Sequence, residues 1–265
     1  MTPQRQRIFV DAVVRFCRTH GIKCDVRSQG WLIIMERIGQ RRFAFGYDVG
    51  LNSAMAHRIA NDKSATADVL ALSGIACIPH TLFLSPKLGE HVAPDASLEA
   101  MRGLLQKYPS GLVAKPNEGT SGRSVFRVRS KAELDHAVDT IFSSHLSLAI
   151  SPFVEIADEI RVILLDDVPM AVYSKERGGD WRHNLDFGAR PILLDRGETR
   201  DACVGLAIKA ARAIGIRFTS IDVVRVEESW QILEINSGVM MEALGELHRE
   251  LVYAAYAAAL EKVFD

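Results

Sequence analysis

Two stretches of this chain hold side chains whose types and spacing could do chemistry. The first is GLVAKPNEGTSGRSVFRV, residues 111–128. Lys115 closes one apolar run, and a second alternating run follows residue 124. Between them lie Gly119, Thr120, Ser121, Gly122 and Ser124. A turn between strands needs one glycine, whereas glycines and hydroxyls together let backbone N–H groups surround phosphate oxygens. A P-loop would need G-x-x-x-x-G-K-S/T with a helix behind it. A dinucleotide fingerprint would need G-x-G-x-x-G opening a helix. Neither is present. What remains is a strand–loop–strand flap over a nucleotide, with Lys115 reaching its phosphates; a long solvated hairpin loop explains this stretch alone equally well.

The second stretch is the pair SIDVVRV and WQILEINSG, which sets Asp222 and Glu234 inside apolar runs. A carboxylate in a core strand is costly unless it is paired or bound to a cation. Strand side chains alternate, so Glu234 and Asn236 share one face. If Glu227, Glu228 and Ser229 make a three-residue turn, Val226 pairs with Trp230 and Asp222 lies opposite Glu234. Like charges directly opposite destabilise a sheet. Mg²⁺ between them would remove that penalty, since it favours one or two carboxylates plus substrate phosphates. Without metal, one of two such carboxyls is expected to hold a proton near neutral pH. The competing readings are that each carboxylate pairs with an arginine, or that the register is shifted by one.

The elements that must position these groups are legible from periodicity. Residues 4–19 read as an amphipathic helix ending before Gly21. Strands are expected near 22–27, 31–36 and 42–46. A helix enters through Asn61 or Asp62 and stops at Gly74, and another covers 97–107. Strands 111–115 and 124–128 flank the glycine loop. Ser130 and Glu133 form a capping box that opens a helix carrying Leu134, Ala137, Val138, Ile141 and Phe142 on one stripe. Strands 148–154, 160–165 and 169–175 follow, the last two joined by a turn at Asp166–Asp167. Residues 176–190 read as a long polar loop. A helix at 199–214 ends at Gly215, a hairpin spans 219–226 and 230–236, and a last helix covers 242–262. Strand clusters interrupted by single helices indicate α+β lobes packed together, not a doubly wound parallel sheet.

The 265 residues are 48% hydrophobic and 25% charged, an ordinary globular composition. A net charge of −1 argues against nucleic-acid binding, and the basic residues within the first 45 read as a solvated face. Cys17, Cys24, Cys77 and Cys203 have no C-x-x-C spacing and read as free thiols of a reducing compartment. No apolar run reaches about 18 residues. The expectation is a cytoplasmic protein with no membrane partner.

The order of parts over roughly 55–245 resembles the ATP-grasp superfamily. The resemblance rests on NDKSATADVLALSGIACIP, LVAKPNEGTSGRSV, ISPFVEIADEIRVILLDDVPMAVYSKE, WRHNLDFGA, IDVV and LEINSG. It is strongest to carboxylate–amine ligases of the ribosomal-protein glutamate ligase, glutathione synthetase and cyanophycin synthetase type. It implies an ATP-grasp fold of two α+β lobes holding ATP between them, small lobe 61–145 and large lobe 146–265, after a shortened N-terminal segment 1–60. Lys63 and Lys115 would contact ATP phosphates, and Gly119, Thr120, Ser121, Gly122 and Ser124 would form the flap. Ser151, Phe153 and Val154 would sit at the adenine hinge, with Glu159 near the ribose. Arg161, Lys175 and Asn184 would line the γ-phosphate and acyl-phosphate region, and Asp222, Glu234 and Asn236 would hold Mg²⁺ or Mn²⁺. Read without the resemblance, Lys63 also fits a surface lysine at a helix start, Phe153 and Val154 plain core, and Arg161 the partner of a structural carboxylate. Two features depart from the pattern. Ser151–Pro152 stands where the hinge normally begins with glutamate or glutamine, and the short N-terminal segment leaves room for a second copy or a partner subunit to complete the substrate site. The implied activity is ATP-dependent ligation of a carboxylate to an amine through an acyl phosphate. The alternatives are a phosphotransferase and a nucleotide-sensing subunit without turnover.

Overall fold

A computed structural model of the chain describes residues 6–92, 98–119, 124–176 and 190–265. Helix α1 (Ile8–Thr19) buries Phe9, Val13, Phe16 and Cys17. It is followed by an antiparallel meander of β1 (Lys23–Arg27), β2 (Leu32–Arg37) and β3 (Gln40–Phe45). Alternation sends Ile33, Met35 and Ala44 into the core that α1 also enters. Two short helices come next, α2 (Ala54–Asn61) and α3 (Lys63–Leu72). Their starts are written in the sequence: Ser53 Oγ accepts from Ala56 N, and Asp62 accepts from Ala65 N at 2.8 Å. Periodicity missed α2, which is only 8 residues long.

The smaller mixed layer holds β4 (Thr81–Leu84), α4 (Leu98–Lys107), β5 (Leu112–Pro116), β6 (Phe126–Val128), α5 (Lys131–Ser144) and β7 (Ser147–Pro152). Its strands run β4-β7-β5-β6, all antiparallel. One face buries Leu112, Ala114, Leu148 and Ile150 against α5 residues Leu134, Val138 and Ile141. The Ser130/Glu133 capping box is present. Lys115 and Ser151 point the other way by alternation, toward the larger sheet.

That sheet comprises β8 (Ile156–Leu165), β9 (Val168–Glu176), β10 (Arg190–Leu193), β11 (Phe218–Val226) and β12 (Ser229–Asn236), in the order β10-β9-β8-β11-β12. Strand β10 lies outside the expected set, and the expected loop falls mainly on 177–189, outside the described residues. One face packs Val162, Leu164, Ile221, Val223 and Ile235 against α6 (Glu198–Ile214). Gly215 ends α6 in the left-handed region at φ 74°. The opposite face is divided. At one end Ile163, Leu165, Tyr173 and Phe218 join α1 and the last helix in an apolar core. At the other end the same face carries charge, described below.

Two local expectations are corrected. The β11–β12 turn has two residues, Glu227 and Glu228, and Val226 pairs with Ser229. A bulge between Asp222 and Val223 restores the offset, so Asp222 still faces Glu234. The last helix is two, α7 (Glu242–Leu247) and α8 (Arg249–Phe264), because His248 leaves helical φ/ψ. Gly245 in α7 lets Ile8 approach: a Cβ there would lie 2.6 Å from Ile8 Cδ1. Among the described residues no helix is long and apolar enough to cross a membrane.

Candidate nucleotide and metal site

A cleft of about 270 Å³ lies where the elements converge, lined by Ala60, Asn61, Lys63, Glu118, Gly119, Glu234 and Asn236. Lys63 begins α3, so its place follows from the Asp62 cap. Its Nζ donates to Gly119 O at 2.9 Å, tying the helix start to the base of the glycine loop. Asn117 reinforces that joint: its O accepts from Lys63 N at 3.2 Å and its side chain accepts from Ser64 N at 3.1 Å. Asn61, Asn117 and Glu118 were not anticipated as site residues. Asn117 and Glu118 stand within the quoted glycine-loop stretch, and Asn61 precedes the cap.

Lys115 enters from the smaller sheet. Burial lowers its pKa to about 8; Glu234 and Glu159 oppose that shift, and Lys63 adds to it. Charges from both sheets and from α3 therefore act on one ammonium. His80, just before β4, is likewise buried and held well below the ordinary imidazole range, by burial first and by Lys115 next.

The charged end of the large sheet is a buried four-residue cluster. Asp222 is flanked on β8 by Arg161 and on β12 by Glu234. Arg161 grips it in a fork, Nε to Oδ1 and Nη2 to Oδ2, each at 2.7 Å. Lys175 Nζ lies 3.0 Å from Asp222 Oδ2 and also donates to Glu159 Oε1. Burial alone would raise the Asp222 carboxyl, but Arg161 and Lys175 outweigh it and hold the group well below the usual carboxylate range. Glu159 moves up instead, because burial and Asp222 together exceed the pull of Lys175. Of the two facing carboxyls, one of which was expected to hold a proton, Asp222 is therefore not that one. Arg161 of β8 pairs with Asp222, as the competing reading held for this carboxylate, and Lys175 of β9 adds a second cation. Glu159, which the resemblance puts near a ribose, has its carboxylate paired with Lys175 within this cluster.

Ser151 lies in β7 opposite Val113 of β5 and is buried. Phe153 N donates to Gly111 O at 2.9 Å, and the Arg127 guanidinium covers the Phe153 ring at 3.5 Å. Val154 follows, half-buried. These hinge residues are not part of the cleft lining given above. Ser124 adopts φ 55° where the chain re-enters β6. Thr120, Ser121, Gly122 and Asn184 lie outside the described residues.

Glu234 and Asn236 line the cleft, and Asp222 stands opposite Glu234 on the neighbouring strand. Together they offer two carboxylates and an amide, leaving positions for water and phosphate oxygens, as Mg²⁺ prefers. Asp222 has further lone pairs beyond those facing Arg161 and Lys175. Among the described residues no cage of three or more His, Cys, Asp or Glu exists that would hold an ion unaided.

The antiparallel small sheet, the large sheet and the cleft between them form an ATP-grasp fold. Structures similar to this chain include D-alanine–D-alanine ligase from Bacillus anthracis complexed with ATP, with TM-score 0.58 and 15% identity over 81% of this chain and 71% of that one. D-cycloserine synthetase DcsG gives TM-score 0.57 and 21% identity over 77% and 71%. Within that fold the chain belongs to the family of the RimK-like ATP-grasp domain, which matches residues 60–250. Curated relatives include probable alpha-L-glutamate ligases. That of Pasteurella multocida (strain Pm70) is 25% identical, covering 73% of this chain and 58% of its own length. That of Legionella pneumophila (strain Corby) is 26% identical, covering 73% and 61%. The chain thus spans about three-fifths of the relatives it matches.

Proposed function

We propose that the chain is an ATP-dependent ligase that joins a carboxylate to an amine, giving an amide or peptide bond, ADP and phosphate. The observation that carries this reading is the convergence of Lys63, Glu234 and Asn236 on one cleft, with Lys115 buried close enough to feel Lys63 and Glu234, beside the Asp222 cluster. In this reading residues 61–145 and 146–265 are the two lobes, with β7 pairing back into the smaller lobe's sheet, and ATP lies between them. Lys63 and Lys115 contact its phosphates, under a flap of Gly119, Thr120, Ser121, Gly122 and Ser124. Ser151, Phe153 and Val154 meet the adenine. Asp222, Glu234 and Asn236 would hold Mg²⁺, or Mn²⁺ in its place, which supplies charge neutralisation at the phosphates when bound.

The reaction then needs placement more than covalent participation by the protein. A substrate carboxylate oxygen attacks the γ-phosphorus, the bond to the ADP oxygen breaks, and an acyl phosphate forms. The amine attacks the acyl carbon, loses a proton, and phosphate leaves. Arg161 and Lys175, which hold Asp222, would with Asn184 line the γ-phosphate and acyl-phosphate region, and Arg177, Arg182 and Arg190 would receive the anionic substrate. The closed flap keeps water from the acyl phosphate. The relatives' names make glutamate the first amine to test. A second copy or a partner subunit would complete the substrate site.

The test is incubation with ATP, Mg²⁺ and a panel of amino acids and short peptides, reading phosphate release and new amides by mass spectrometry. A new amide with stoichiometric ADP and phosphate is the expected result. ADP with a stable phosphorylated substrate would replace the ligase by a phosphotransferase. Nucleotide binding without turnover across the panel would favour a sensing subunit.

A further inference from the structure

The cleft wall continues away from the nucleotide side through a chain of polar contacts that the ligase reading does not use. Asp48, in the loop after β3, lies 3.3 Å by its Oδ2 from His57 Nδ1, while its Oδ1 accepts from Gly50 N at 2.7 Å. His57 Nε2 lies 3.0 Å from Asn61 Nδ2, one helical turn on in α2. Asn61 Oδ1 accepts from Ser237 Oγ at 3.1 Å. Ser237 is buried and directly follows Asn236 at the end of β12.

One set of donor and acceptor roles fits all of these contacts. An ionised carboxylate only accepts, so the ring nitrogen facing Asp48 is the one that carries hydrogen. The Nδ1 contact is an ion-pair approach off the line of a hydrogen bond, but its polarity still selects the tautomer. With its oxygen toward Ser237, Asn61 presents its amide nitrogen to the ring, 3.0 Å from Nε2. An amide N–H needs an acceptor there, and an Nε2 without hydrogen supplies it. Every member then has one consistent donor or acceptor role.

We infer that His57 is a positioning residue of the cleft: set by Asp48, its bare Nε2 fixes the Asn61 amide, which in turn holds the strand end bearing Asn236 against α2. This rests on the reading of the cleft as a metal–nucleotide site. It makes the N-terminal segment a working part of that site. The same segment is pinned to the large sheet by Asn52 at Arg217 and Phe218, and to α7 by Glu242, which accepts from Ile8 N at the start of α1.

Three arms test it. The imidazole ¹⁵N–¹H correlation spectrum of the whole chain should show His57 with hydrogen on Nδ1; an Nε2-hydrogen form overturns the assignment. Asp48→Asn keeps an oxygen for Gly50 N but can present an N–H to the ring, so it should reverse the tautomer. In magnesium titrations of ATP-analogue binding, His57→Leu should raise the half-saturating Mg²⁺ concentration about fivefold, the worth of one neutral hydrogen bond. His57→Gln, whose amide oxygen can replace Nε2, should stay within about twofold of the parent. Equal behaviour of Leu and Gln variants would mean that His57 only packs, and would overturn the inference. If the unaltered chain bound no magnesium nucleotide, the reading of the cleft would fall. The spectrum would still decide the tautomer.

Discussion

Replacing Asp222 by Asn probes the buried cluster directly. The side chain keeps its shape but loses the charge that Arg161 and Lys175 share. Arg161 and Lys175 would remain buried with Glu159 as the one nearby acid of the cluster. Breaking a buried ion pair from one side typically costs about 3–5 kcal/mol. For a chain of this size each kcal/mol shifts Tm by roughly 2–4 °C, so the expected fall is roughly 6–20 °C. The pH dependence has a definite sign. The folded carboxyl lies below its unfolded value of about 3.9, so the unfolded chain binds more protons as pH falls. Its stabilisation is complete above the unfolded pKa and is lost as pH drops toward the folded one. Thermal melts of parent and variant at pH 7 and through the acid range, without metal or nucleotide, make the measurement. A variant that melts within about 1 °C of the parent at pH 7 would refute the argument, as would a stability difference that widened toward acid.

Glu234→Gln should behave oppositely: Glu234 is half-buried and outside the Arg161 fork, so its melt should shift by less than about 0.5 kcal/mol while magnesium-dependent nucleotide binding weakens severely. A large stability loss with normal magnesium dependence would remove Glu234 from the metal site. Lys115→Ala should lower nucleotide affinity about tenfold to a hundredfold, read by calorimetry, since a charged hydrogen bond is worth roughly 1.5–3 kcal/mol. Because the Lys115 pKa sits at about 8, nucleotide-free protein increasingly presents a neutral amine above that pH, so parent affinity should decline there and the Ala variant's should not follow. Gly111→Ala should destabilise by roughly 2–3 kcal/mol in a chemical denaturation, because φ is +98° and a Cβ would meet Val128 O at 2.7 Å; a neutral result would show that β5 and β6 can separate there.

Most helices and strands were legible because their signals are local. The Ser130/Glu133 box and Gly215 marked ends that the structure keeps. The Asp222–Glu234 pairing was also reached, though through a turn that does not exist. Two deviations, a shorter turn and a bulge, cancel, and period-two alternation cannot distinguish that route from an unbroken ladder. In the sequence Arg161 also fits the partner of a structural carboxylate, but which charges meet stayed hidden, as did the pairing of Lys175 with Asp222 and Glu159. Arg161 and Lys175 lie on β8 and β9, far from Asp222 in sequence, and only strand order brings them beside it. The Asp48–His57–Asn61–Ser237 chain was invisible for the same reason. None of its members has a distinctive spacing, and the contacts exist only once the N-terminal loop reaches α2.

The divided face of the large sheet explains why so many charges can be buried near one point. Phe218, Leu165 and Tyr173 anchor β11, β8 and β9 in an apolar core, and the same strands run on a few residues to Asp222, Glu159, Arg161 and Lys175. The core fixes strand register, and register fixes which charges meet. Within the cluster two acids face two bases, so the group is neutral as a unit although each member is costly to bury alone. A neutral, rigid base under the cleft leaves the charges that project into it, Lys63 and Glu234 among them, to set the field a ligand meets. That division of labour explains why Asp222→Asn should act first on folding and Glu234→Gln first on binding, though both carboxylates stand on one hairpin and face each other across it.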